Sequence, residues 1–157
     1  MTASDPAAAG PYHHVVVGTD GSATAAQAVG HAAQLASACR AKLTIVSAYT
    51  RRDANLAELS APPGDDDWVA TDAAGAEDHV IAAQAIARSR GAEQVAGRTE
   101  AGDPAAVLLD LASEVGADVI VVGSRGMAAA SRFLLGSVPN RVSHHADCDV
   151  VIVRTAD

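Results

Sequence analysis

ADVIVVGSRG, residues Ala117 to Gly126, holds an unbroken apolar run, Val119 to Val122, that stops at Gly123 and meets a second glycine three residues later. A strand with one wet face alternates apolar and polar side chains. This run does not alternate, which is the pattern of a strand covered on both faces of a parallel sheet. The same pattern occurs in HVVVGTD, where Val15 to Val17 stop at Gly18, and in CDVVIVR from Cys148 to Arg154. Lys42–Tyr49 and Glu93–Gly102 are two further strand candidates, making five in all.

Helix-length segments separate them. From Ala23 to Arg40 the residues Ala25, Val29, Ala32, Ala33 and Ala36 keep one face apolar, with Ser22 placed as N-cap. Asp72–Arg90 carries Val80, Ala83 and Ala87 on one side. Asp103-Pro104 pairs an N-cap with proline at the first helical position; Val107, Leu108, Leu111 and Val115 form the stripe, and Gly116 ends it. The last helix runs from about Val138 to Ala146. Alternation of this kind predicts an α/β fold, a single open parallel sheet with helices on both faces. Residues 1–12 read as a loose tail and 13–157 as one domain. The polar segment 51–71, with Pro62-Pro63-Gly64 and Asp65 to Asp67, reads as a mobile connection in which Trp68, the one tryptophan of the chain, is expected to dock onto the body.

The chain has 157 residues, enough for one domain, and 3% aromatic residues, so alanine and valine must fill the interior. Its formal charge of −8 argues against a nucleic-acid partner, whose phosphates demand a positive face. The first twelve residues have neither the basic nor the apolar region of a signal peptide, and no apolar stretch reaches membrane-spanning length; a cytoplasmic location is expected. Cys39 and Cys148 read as small buried hydrophobes without a disulfide.

In an open parallel sheet, ligands bind at the carboxyl ends of the strands where the winding reverses. The ends at Gly18 and Gly123 are candidates for opening onto one crevice. Nine residues after Gly126 comes Gly136-Ser137, opening the last helix. Unpaired N–H groups of Ser137 and Val138, with the Ser137 hydroxyl, suit an anion held without lysine. Each residue also has an ordinary reading. Ser137 is equally a helix cap, Gly123 and Gly126 turn glycines, and Asp20 a favourable charge beside the first helix. Arg125 and Arg132 lie within reach of a polyphosphate or are simply solvated. No Gly-x-x-x-x-Gly-Lys loop, acidic metal cluster or Ser-His-Asp arrangement is legible, and His13-His14, His31, His79 and His144-His145 have no trustworthy ligand spacing.

Gly123-x-x-Gly126, nine residues, then Gly136-Ser137 resembles the nucleotide-binding signature of the universal stress protein family. The segments VVVGTDGS, AGDPAAVLLDLA and VSHHADCDVVIVR are similar to it as well, so the resemblance covers about Val15 to Arg154. It implies a Rossmann-like sheet in the order 3-2-1-4-5, a homodimer, and an adenine nucleotide in the crevice. Position by position, it sets Gly18, Asp20 and Ala48 beside the adenosine and Val122 and Gly123 along the ribose and phosphates. Gly126, Gly136, Ser137 and Val138 would hold the phosphates, with Arg125 in reach. ATP, with Mg²⁺ possible, is the expected ligand and cyclic AMP the alternative. The expected role is a stress-response regulator or sensor with at most slow hydrolysis; a true hydrolase or phosphotransferase is the competing class. In that strand order the last strand lies at an edge. Val150 to Val153 carry no charge or proline there, so a homodimer is expected through them.

Overall fold

Strand and helix alternate as expected: β1 (His14–Gly18), α1 (Ala23–Cys39), β2 (Lys42–Tyr49), α2 (Ala73–Ser89), β3 (Gln94–Ala101), α3 (Pro104–Val115), β4 (Val119–Gly123), α4 (Ser137–His145) and β5 (Asp149–Val153). The computed structural model describes residues 10–51, 72–124 and 135–155. Arg51 is exposed, while the rest of the expected mobile connection, Trp68 included, lies outside the described residues. All strand pairs are parallel, in the order β3-β2-β1-β4-β5.

Alternate residues of the buried strands feed two cores. Val15 and Val17 of β1, Leu43 and Ile45 of β2 and Val119 and Val121 of β4 pack with α1 and α2 on one face. Val16, Val46, Ile120 and Val122 pack with α3 and α4 on the other. A parallel sheet buried in this way needs apolar residues at every position, which explains the uninterrupted valine runs. Small side chains bring the layers close. A Cβ added at Gly97 of β3 would lie 2.3 Å from Val80 Cγ1 of α2, so glycine there lets helix and strand meet.

Side-chain caps begin the first three helices. Ser22, Asp72 and Asp103 accept hydrogen bonds from the backbone N–H of Ala25, Gly75 and Ala106. Gly116 ends α3 at φ 66°, as the sequence suggests, whereas α1 ends on Arg40, a non-glycine residue at φ 54°.

At the amino ends of the strands, Asp118 Oδ2 accepts from the backbone N–H groups of His13 (2.5 Å) and His14 (2.8 Å). Those two bonds hold its carboxyl below the ordinary carboxylate range. Tyr12, assigned from sequence to the tail, packs against the α1–α2 core and donates its hydroxyl to Asp149 at 2.9 Å. Residues 1–9 lie outside the described residues. Both cysteines are free thiols, Cys39 buried and Cys148 half-buried, and burial pushes the Cys148 pKa up.

Candidate functional site

β1 and β4 are neighbours, yet the chain leaves them in opposite directions. β1 leads to α1 on one face and β4 leads to α4 on the other. Their carboxyl ends therefore flank a crevice at the point where the winding reverses, where such sheets accept ligands. The last residue pair between them is Val17 with Val121, so Gly18 and Val122 lie one step further along the two strands.

Three expected site residues share a face as well as an edge. Ala48 and Val122 pack with the α3–α4 core, and a Cβ on Gly18 would meet the methyls of Leu108 in α3 at 3.3 Å. Gly18 thus has a packing reason to be glycine, independent of any ligand. Gly123 ends β4, paired with Val153 of β5.

Beyond β1 the chain makes a turn built by its own polar groups. Thr19 donates its N–H to Val46 O (2.9 Å), Gly21 donates to Thr19 Oγ1 (3.2 Å), and Ser22 donates to Asp20 Oδ1 (2.9 Å). Asp20, two residues beyond the carboxyl end of β1, is exposed, with one carboxylate oxygen committed to this turn. Gly21 takes φ 79°, a left-handed conformation that favours glycine.

The other wall is the start of α4. Gly136, not Ser137, is the N-cap residue, and no side chain caps the helix, so the capping role open to Ser137 in the sequence is not the one it has. Gly136 sits at φ −60° and ψ 166°, which any residue adopts, so local conformation does not demand glycine here. Its N–H donates to Ser124 O at 3.0 Å. Ser124 is itself tied to β5. Its N–H donates to Val153 O (2.7 Å), and its hydroxyl accepts from Thr155 N (3.1 Å). One hydrogen bond therefore closes the neck between the end of β4 and the start of α4. Arg125, Gly126 and Arg132 lie within the excursion and outside the described residues.

The first helical N–H groups belong to exposed Ser137 and half-buried Val138, while Pro139 has none. This end of α4 presents two backbone donors and the positive end of a helix dipole. Arg141, one turn on, pairs with Asp103 at 2.6 Å and joins α4 to the start of α3.

Sequence reasoning missed Ser124, whose three bonds are long-range and leave no mark in local pattern. It also missed that His79 of α2 lies against Gly21: a Cβ on that glycine would be 2.4 Å from His79 Cδ2. Among the described residues, no cluster of three or more His, Cys, Asp or Glu is arranged to hold a metal ion, and no helix is long and apolar enough to cross a membrane.

A Rossmann-like sheet with its crevice between β1 and β4 defines the class of protein. Residues 11–154 match the universal stress protein family, and the chain belongs to it. Universal stress protein Rv1636 of Mycobacterium tuberculosis is 42% identical over 146 residues, spanning 92% of this chain and 97% of that protein. A putative universal stress protein of Staphylococcus haemolyticus, SH1215, is 34% identical over 147 residues, spanning 93% and 87% respectively. Among solved structures, a universal stress protein in complex with cAMP is 37% identical with a TM-score of 0.71, covering 92% of this chain and 98% of that one. UspA from Lactobacillus plantarum is 27% identical with a TM-score of 0.73, covering 92% and 99%.

Proposed function

We propose that this chain is a stress-response regulator or sensor that binds an adenine nucleotide in the β1–β4 crevice, and that cyclic AMP is its ligand. The observation that carries this reading is the start of α4. A glycine not required by its own backbone angles precedes two unused helix N–H donors, at a neck tied to the sheet. Pro139 removes the third donor, so among the described residues this wall suits one phosphodiester group better than a run of phosphates. The likeness to the universal stress protein in complex with cAMP supports the same choice.

In this reading Gly18 and Ala48 border the adenosine, Val122 and Gly123 lie along the ribose, and Gly126, Gly136, Ser137 and Val138 receive the phosphate. Asp20 belongs at the adenosine end, because a carboxylate beside phosphate would repel it. The protein's role is binding; catalytic residues and a resident metal form no part of the proposal. A cytoplasmic location is part of it.

ATP is the second reading, favoured by the intact Gly-x-x-Gly, nine residues, Gly-Ser spacing, with Arg125 and Arg132 as phosphate partners and Mg²⁺ accompanying the nucleotide. Denaturing the purified protein and identifying released nucleotide by mass separates the two. Titration calorimetry with cyclic AMP and with ATP then ranks them. Tighter binding of ATP overturns the cyclic AMP assignment, and binding of neither overturns the nucleotide reading.

A further inference from the structure

His79 stands in the second turn of α2, on the opposite face of the sheet from Gly18, Ala48 and Val122. It therefore lines no part of the crevice formed by those residues. Its ring nevertheless touches the crevice wall from behind. At Gly21 the space that a Cβ would take is filled by His79: Cδ2 would lie 2.4 Å away and Nε2 2.5 Å. The turn from Thr19 to Ser22 is a chain of short bonds, with Thr19 tied to β2, Gly21 to Thr19 and Ser22 to Asp20. Displacing Gly21 displaces Asp20.

The second observation is chemical. His79 Nδ1 is buried and has no hydrogen-bond partner. With no hydrogen bond from Nδ1, the ring acts on the turn through its shape, which a phenyl ring of similar size would reproduce.

We infer that His79 is a positioning residue of the nucleotide site. Its ring is a wedge that fixes the Gly21 turn, and through it the placement of Asp20 at the adenosine end. The inference rests on the nucleotide reading above and adds α2 to the elements that set affinity. It acts on the adenosine half of the ligand and leaves the α4 donors unaffected.

Adenosine and cyclic AMP titrations of wild type, His79→Ala, His79→Phe, Asp20→Ala and the His79→Ala/Asp20→Ala double variant test it, with circular dichroism as the folding control. His79→Ala is expected to weaken adenosine and cyclic AMP by the same factor, about five- to tenfold, the scale of one positioning contact. His79→Phe refills the wedge and recovers most of the loss. In the Asp20→Ala background, His79→Ala adds little, because two residues acting through one turn are not additive. A fully additive double variant overturns the inference, as does unchanged adenosine affinity in folded His79→Ala or a His79→Phe loss equal to that of alanine. Wild-type protein that binds neither ligand overturns the nucleotide reading and this inference together; wild-type binding that ignores His79 overturns the inference alone.

Discussion

Gly136 has backbone angles open to any residue, so a valine there meets no backbone strain. Gly136→Val is expected to abolish cyclic AMP binding while the far-ultraviolet spectrum stays that of the wild type. Ser137→Ala keeps both N–H donors and removes one hydroxyl, a loss of about 1.5–3 kcal/mol if that hydroxyl bonds a charged phosphate. Calorimetry on the two variants decides: undiminished affinity in folded Gly136→Val returns these glycines to the role of turns. A different residue sets a pH dependence. Burial pushes the His14 imidazole below its ordinary value of 6.5, with Lys42 adding to the effect and Asp118 opposing it. Its Nε2 lies 2.7 Å from Thr44 Oγ1. Between the lowered folded value and 6.5 the unfolded chain binds more protons than the folded one. Stability is therefore full above 6.5 and falls as pH drops through that window. Thermal melting from about pH 7.5 to 5 should show a decline that flattens in His14→Gln. Identical slopes in both proteins would remove His14 as the cause.

Elements were legible wherever a local signal was strong. Asp103-Pro104 and Gly116 bound α3 as read, because capping chemistry is written in adjacent residues. The valine runs gave β1 and β4, since burial on both faces leaves nothing polar to confuse the pattern; the same run located β5, but there the reading of two covered faces fails, because β5 is an edge strand with Ile152 exposed and Val150 and Val151 half-buried. Arg40 ending α1 in a left-handed conformation was not legible, because that position is normally glycine's. In the candidate site, the glycine motif singled out Gly136, and the family resemblance, not any local pattern, singled out Gly18, Ala48 and Val122. The Ser124 neck and the His79 contact depend on tertiary pairing across more than ten and more than fifty residues, beyond any local window. Asp103 offers a test of element energetics, since it both caps α3 through Ala106 and pairs with Arg141 of α4. The ion pair has side chains 49% and 50% exposed, so solvent screening leaves it worth little, whereas losing the cap costs about 1 kcal/mol. Asp103→Ala should lower the denaturation midpoint more than Arg141→Ala does. Both variants lose the ion pair, so equal midpoints in urea titrations would show that the cap contributes nothing, and the reverse order would show that Arg141 stabilises through something other than Asp103.

At the scale of the whole molecule, the sheet has two edges of different character. β3 carries Arg98 paired with Glu100 at 2.6 Å and with Glu114 at 3.0 Å, charges that discourage another strand from adding. β5 carries no charge from Val150 to Val153, and its Ile152 side chain is 36% exposed. Among the described residues, β5 is paired on one side alone, with β4. An apolar edge of this kind is stabilised by a second copy, and a two-fold axis would set the two β5 strands antiparallel. We therefore propose a homodimer through Val150–Val153. Val151 is a poor probe, because it packs against the α1–α2 core and its replacement would mix stability with assembly. Ile152 belongs to neither core cluster, so Ile152→Lys places charge on the edge and leaves the interior intact. Sedimentation at micromolar concentration should give a dimer for wild type and a shift to monomer for Ile152→Lys, with unchanged circular dichroism. A monomeric wild type would overturn the proposal, and a fully dimeric Ile152→Lys would move the interface to another face.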